Sequence, residues 1–350
     1  MSDGKRNHFI PKFFLNRFAT QKDKKGRYCK IWEMGRGVDP RLVNTKNVAV
    51  ETHFYGGAET GIELAFSKIE SEFKDALSEL DNGVSPKSLS EILRRFVWMQ
   101  AIRTRAIRHQ YEDLAGTMIA KLSSDESIDD ISKYLRSQAP SMIEREIEKL
   151  PKSKQKAARQ LLKNPFIQHA LQHRILKSTA TDSVKGMMEL LQKKITSEGV
   201  VKKAAISGHL KGIKQLIHAT EPPTHFLPVD WQILKSATDQ VVLGDLCTIA
   251  VSDALETCSL LKCGKSWRNV YLPIDSRTVL VASAASEALT LGIDEINRAS
   301  ASHSVMYYYS KNLNEEAKAL QDVASTRASI FDDAEWAELI RDATHPDAHE

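Results

Sequence analysis

The hydrophobic rhythm of the chain changes once, at Glu221-Pro222-Pro223, and this restricts the fold more than any other feature. Before it, apolar residues recur at intervals of three and four, the spacing of one helix face. Ile62, Phe66, Ile69, Phe73, Ala76, Leu77 and Leu80 make one such stripe, closed by Asp81-Asn82-Gly83. Ser85 ahead of Pro86 caps a second helix, read from Pro86 past Leu114. Further helices are expected at 128–138, 141–150, 152–162, 165–177, 183–195 and 200–217. After the change, short β-type runs at 231–234, 240–246, 255–261, 269–272 and 278–282 alternate with turn residues. A helix at 292–301, a last strand at 304–309 and helices around 314–326 and 332–343 follow. Residues 1–58 read as irregular, with one short strand near 28–34 between the breakers Gly26, Gly35, Gly37 and Pro40. The expected class is α+β, mostly helical, with a small, mainly antiparallel sheet contributed largely by the C-terminal half. Four regions result: an N-terminal segment with core helices (1–123), a basic helical region (124–222), a strand-rich region completing the core (223–311) and an acidic helical tail (312–350).

Apolar residues make up 42% of the 350 positions and charged residues 27%, a globular balance that excludes a disordered chain. No stretch is long and apolar enough for a membrane helix, and the opening MSDGKRNHFIPKFF lacks the apolar run of a secretory signal. A cytoplasmic protein with no membrane partner is expected. Cys29, Cys247, Cys258 and Cys263 form no Cys-x-x-Cys pair, so they are expected to be free, structural thiols. The net charge of +4 is unevenly spread. Segments 4–46 and 145–216 are strongly basic, whereas 315–350 is acidic. Such asymmetry points to nucleic acid or another polyanion as a partner, against the plainer reading of solvated helix faces.

The second helix carries polar residues where apolar ones belong. Its stripe runs Leu89, Ile92, Leu93, Phe96, Gln100, Arg103, Ile107, Tyr111, Leu114. Gln100 and Arg103 therefore share a face with the core. A buried guanidinium needs a partner, because an uncompensated buried charge costs on the order of 3–5 kcal/mol. Glu63 and Glu70, seven apart on the first helix, are the candidates. The group either locks two helices together or lines a polar pocket. Arg103-x5-His109 also matches the Arg-x4–6-His pattern of some helical ribonucleases of the HEPN type, a short and unspecific motif. His169-x3-His173 has metal-ligand spacing but no intervening Glu, and His345-x3-His349 lies in the polar tail. Phosphate-loop, dinucleotide-binding and nucleophile-elbow motifs are missing from the sequence.

The opening His8-x-Ile10-Pro11-x-x-x-Leu15, with Phe18 after it, resembles a large, mainly bacterial family, domain-of-unknown-function family 4238. Tyr28-Cys29-Lys30-Ile31-Trp32, Asn47-Val48-Ala49, Phe54-Tyr55, Glu63, Glu70, Gln100-x-x-Arg103, Trp231, Leu272-Pro273-Ile274, Ile296-Asn297 and Tyr307-Tyr308-Tyr309-Ser310 continue the likeness in order. Asp245 stands where the family shows Ser-Asp-x-Pro, with Gly244 and Cys247 replacing the Ser and Pro. The resemblance implies that His8, a helix Glu (Glu63 or Glu70), Gln100, Arg103 and Asp245 converge, and these six are the candidate site residues. His8 would then serve as base or metal ligand, the carboxylates as its partners and Arg103 as an anchor for phosphate or oxyanion. A divalent metal is a candidate cofactor for that cluster. The expected function is a bacterial effector, toxin-like or of phage-defence type, acting on nucleic acid, with phosphodiester hydrolysis as the candidate chemistry. The alternatives are a non-catalytic scaffold that binds a polyanion or a protein partner, and an enzyme for a small anionic substrate.

Overall fold

The computed structural model describes residues 6–23, 28–56, 61–110, 144–145, 147–162, 206–211, 213–214, 229–263, 267–284 and 291–327, with residues 112, 116, 133, 185, 186, 189, 190 and 193 besides. The chain divides into two compact units, Met1–Tyr111 with Ile206–Glu350, and Glu112–Ala205. Among the described residues no helix is long and apolar enough to cross a membrane.

The first unit opens with β1 (Arg6–His8), the short helix α1 (Lys12–Leu15) and β2 (Gln21–Lys22). β3 (Cys29–Gly35), β4 (Val38–Asn44) and β5 (Val50–Thr52) follow. α2 (Ile62–Asp81) is the expected first helix and buries Ile62, Phe66, Phe73, Ala76, Leu77 and Leu80. Its end is a Schellman turn: Gly83 N–H donates to the Leu80 carbonyl and Val84 N–H to Glu79, both at 3.0 Å. Gly83 takes φ 87°, a conformation that costs glycine little. α3 (Ser90–Ile102) packs antiparallel-style ring on ring against α2, with Phe73 and Phe96 stacked 3.5 Å apart and the edge of Phe14 against both. Each buried phenyl contributes roughly 1.5–3 kcal/mol.

The expected uninterrupted helix past Leu114 breaks at Arg103-Thr104, and helix resumes over 105–110. Arg103 ends α3 at φ −93°, ψ 0°, where its side-chain bonds outside the helix hold it.

The second half of this unit runs β6 (Val229–Lys235), β7 (Leu243–Gly244), β8 (Ile249–Ser252) and β9 (Thr257–Cys258). A one-turn helix, here α5 (Leu260–Cys263), leads to β10 (Trp267–Asp275) and β11 (Thr278–Ala284). α6 (Ile293–His303), β12 (Tyr308–Ser310) and α7 (Glu315–Ala319) close it. In the other unit, α4 (Lys152–Leu162) forms as expected, and Arg159 pairs with Glu144 at 2.6 Å. The expected helices at 128–138, 165–177, 183–195 and 332–343 and the pairs His169/His173 and His345/His349 lie outside the described residues or nearly so.

The strands correct the expected single small sheet from the C-terminal half. Three sheets form among the described residues: β1-β5, β6-β11-β10-β8-β9, and β2-β3-β12-β7 with β4 on β3. All their pairings are antiparallel. Five strands come from the first 52 residues, where the sequence reading gives a single strand near 28–34. β3 is the strand expected near 28–34; β1, β2 and β5 have only two or three residues, too few to show alternation, and β4 is broken by Pro40. Gly35-Arg36-Gly37-Val38 is a hairpin with a two-residue connection, and Pro40 sits in β4, which pairs only with β3. The thiol expectation also needs correction. Cys258 and Cys263 form a disulfide across Cα atoms 6.6 Å apart, while Cys29 and Cys247 are free and buried.

Candidate functional site

Pro11, in extended conformation, separates β1 from α1, and the His8 carbonyl at the end of β1 lies against the end of α3. There the Arg103 guanidinium is 3% exposed and donates to three groups: Nε to the Tyr55 hydroxyl, one terminal nitrogen to Glu70 Oε1 and the other to the His8 carbonyl. Tyr55 in turn donates to the same His8 carbonyl at 2.9 Å. The guanidinium carbon lies 5.2 Å from the Tyr55 ring centre and 5.1 Å from that of Phe66. Glu70 is thus the acidic partner of Arg103. Glu63, two turns earlier, acts with Glu70 on the Tyr55 phenol, which burial above all pushes well above its ordinary pKa.

Gln100, one turn before Arg103, donates from Nε2 to Cys247 Sγ at 3.1 Å. Its Oε1 is buried without a hydrogen-bond partner, as is His8 Nδ1. Burial, reinforced by Arg103, Arg6 and Lys12, pushes the His8 pKa down to about 4, so the ring is neutral at pH 7. Burial pushes the Cys247 thiol up to about 12, which leaves it protonated and a poor nucleophile.

Asp245 does not join the Arg103 group. Its carboxylate accepts three backbone N–H bonds, from Val305 at 2.7 Å, Met306 at 2.9 Å and Tyr307 at 3.2 Å. It therefore shapes the segment that enters β12. Burial pushes its pKa up, against those three donors. The Gly244–Cys247 turn closes without the family's Ser and Pro: Cys247 N–H donates to the Gly244 carbonyl at 2.9 Å, with Cys247 at φ 64°. A Cβ at position 244 would stand 2.4 Å from the Ser300 carbonyl, so glycine is what lets this turn lie on α6. Of the six candidates, Glu70 and Arg103 meet through their side chains and His8 joins them by its main-chain carbonyl. Glu63 contributes a charge near Tyr55, Gln100 is hydrogen-bonded to Cys247, and the Asp245 charge is felt at that thiol.

A second arginine is buried in the same unit. Arg108 is 3% exposed, donates to Glu51 Oε1 at 2.6 Å and to the Phe54 carbonyl at 2.5 Å, and lies 4.1 Å from the Phe54 ring centre. His209 packs edge-on against the same ring, and burial, then Arg108, pushes its pKa down to about 3. The break at Arg103-Thr104 resets the helix phase and turns Arg108 inward. No residue-type pattern in the sequence signals it.

Arg103 is enclosed by its own chain, and the break separates it from His109, so the two do not share a continuous helix face. Among the described residues no three His, Cys, Asp or Glu side chains gather to hold a metal ion, so the divalent cation considered for this cluster finds no ligand set. A cleft of 320 Å³ lies elsewhere, beside α6 and α7, and Asp294, Glu295 and Glu316 give it acidic walls alongside Arg298.

The basic segment 4–46 is only partly free. Arg17 bridges Asp81 at 2.8 Å and Asp275 at 3.0 Å, and Arg41 pairs with Glu33 at 2.5 Å. Lys22, Lys30 and Lys46 remain exposed around Tyr28, which is 61% exposed. Tyr28 immediately precedes β3, and Lys30 is the second residue of that strand. Lys46 Nζ stands 5.9 Å from the Tyr28 ring centre, and Arg6 donates to Asn47, the next residue, at 3.3 Å.

The fold and these clusters define an α+β protein built on three antiparallel sheets, with a buried arginine–carboxylate–tyrosine network and a separate basic–aromatic surface. The family described as "Protein of unknown function (DUF4238)" matches residues 6–312, and the chain belongs to it. No curated protein and no solved structure matches the chain.

Proposed function

We propose that this chain is a nucleic-acid-binding effector of the bacterial cytoplasm, toxin-like or of phage-defence type. The observation that carries the reading is the exposed surface of Tyr28, Lys30 and Lys46, with Arg6 and Lys22 beside it. Lysine ammonium groups held in water suit phosphate oxygens as point charges. The sequence between Asp23 and Tyr28 is Lys24-Lys25-Gly26-Arg27, which adds three further cations to this stretch of chain. The acidic cleft beside α6 would repel the same ligand.

The test is fluorescence anisotropy of labelled RNA and DNA across a salt series. Log affinity should fall linearly with log salt, by about 0.7–0.9 per phosphate neutralised. Absence of binding, or affinity indifferent to salt, would overturn the reading.

Phosphodiester hydrolysis is the second reading. It draws on the Arg103 cluster, where Gln100 Oε1 and His8 Nδ1 are open polar valences beside a fixed cation. Cleavage by the wild-type chain that a folded His8→Ala variant lacks supports it. Salt-sensitive binding without cleavage leaves the non-catalytic scaffold.

A further inference from the structure

We infer that the Tyr28 surface takes an unpaired nucleobase, so that the ligand class is single-stranded RNA or DNA rather than duplex; the inference rests on the nucleic-acid reading above. Tyr28 is the one aromatic among the exposed large apolar residues of the described chain, the others being Val38, Leu64, Val84, Leu150, Leu190 and Leu255. Its ring is solvated while its backbone is fixed. Tyr28 N–H donates to Asp23 Oδ1 at 2.9 Å, and its carbonyl accepts from Asp23 N–H at 3.0 Å. A rigid backbone under an exposed ring means little ordering cost on binding.

The neighbours of the ring are placed for a sugar–phosphate chain. Lys30, in β3, follows Tyr28 by two residues, which a chain spans in at most about 7 Å. Gln21 is directly opposite Lys30 on β2 and offers a neutral amide on that side. The Lys46 ammonium lies over one face of the ring, 5.9 Å from its centre, so a base would stack on the opposite face with this cation close to its phosphate. The Asp23 carboxylate is held by the Tyr28 N–H.

Duplex bases bury their faces against one another and cannot stack on a protein ring without unpairing, whereas single strands offer every base face. Lysines alone would accept either form. The tyrosine among them is what selects, and because every base has a π-face it selects strandedness more than sequence.

The experiment measures affinity of the full chain for fluorescein-labelled oligothymidylate, oligouridylate and a DNA duplex of equal length, at several salt concentrations. Wild type should bind the single strands more tightly than the duplex. Tyr28→Ala should weaken single-strand binding roughly 5- to 100-fold, the range of one base–aromatic stack, and leave duplex binding unchanged. Tyr28→Phe should retain wild-type affinity, and Lys30→Ala should flatten the salt slope by about 0.7. Unaltered thermal unfolding of each variant certifies its fold. Equal binding of single strand and duplex, with Tyr28→Ala affecting neither while Lys30→Ala weakens both, overturns the single-strand inference and leaves the nucleic-acid reading standing. Binding of neither form overturns both.

Discussion

Two tyrosines in this molecule each carry a cation beside the ring, and their settings are opposite. Arg103 stands 5.2 Å from the Tyr55 ring centre inside the core, and Lys46 stands 5.9 Å from that of Tyr28 on the surface. The geometry is alike, but the surrounding medium differs. At Tyr55 water is excluded, so the cation must be neutralised by Glu70 and hydrogen-bonded by the phenol and the His8 carbonyl. At Tyr28 water screens the charge, no carboxylate is needed, and the cation keeps its capacity for another anion. A cation–tyrosine pairing is therefore a fastener when buried and a landing surface when exposed.

The largest effect should come from breaking the buried pair. Arg103→Ala leaves Glu70 and the Tyr55 hydroxyl without their donor. It should lower the free energy of urea unfolding by about 3–5 kcal/mol. A loss below about 1 kcal/mol would mean that the network adds little to stability.

Acid should loosen the same core by a smaller amount. The pKa of His8 is held near 4 and that of His209 near 3 in the folded chain, below the ordinary 6.5. Both rings are neutral when folded, so below pH 6.5 the unfolded chain takes up protons that the folded chain refuses. Their contribution is intact above pH 6.5 and is lost as pH falls towards 4 and 3, at up to about 1.4 kcal/mol per pH unit for each ring. His209→Phe should remove part of that slope in denaturation curves run between pH 7 and pH 4; parallel curves for the two proteins would refute the assignment.

Gly244→Ala drives a Cβ against the Ser300 carbonyl at 2.4 Å. A loss of about 1–3 kcal/mol is expected, read by thermal unfolding, since overpacking displaces backbone. An unchanged midpoint would show that α6 yields freely. The smallest effect on stability belongs to the exposed pair. Tyr28→Ala and Lys46→Ala should stay within about 0.5 kcal/mol of wild type, because neither residue is buried. A larger loss would erase the contrast between the two tyrosines.

Much of the helical half could be read from spacing alone. The α2 stripe, its Asp81-Asn82-Gly83 stop and the need of Arg103 for Glu63 or Glu70 follow from period and charge, and Glu70 is the partner found. Tyr55 was not legible as a donor and ring partner, because its position depends on β5 returning beside β1. Arg108 was hidden for a different reason. A helix register extrapolated through Thr104 puts it on the wrong side, and only the break corrects the phase. β3 could be read near 28–34, whereas β1 and β5 could not, because a strand of three residues offers no alternation to detect.

The pairing of β3 with β12 sets a constraint on biosynthesis. Trp32 and Ser310 are partners in one ladder although the ribosome makes them roughly 280 residues apart. At about 5–20 residues per second, β3 waits roughly 15–55 s for its neighbour. Through that interval part of one β3 edge is open and Met34 has no cover from Tyr308. Nascent chains stalled before β12 emerges should thus be a preferred cargo for holding chaperones, and premature stops in that stretch should end in proteolysis.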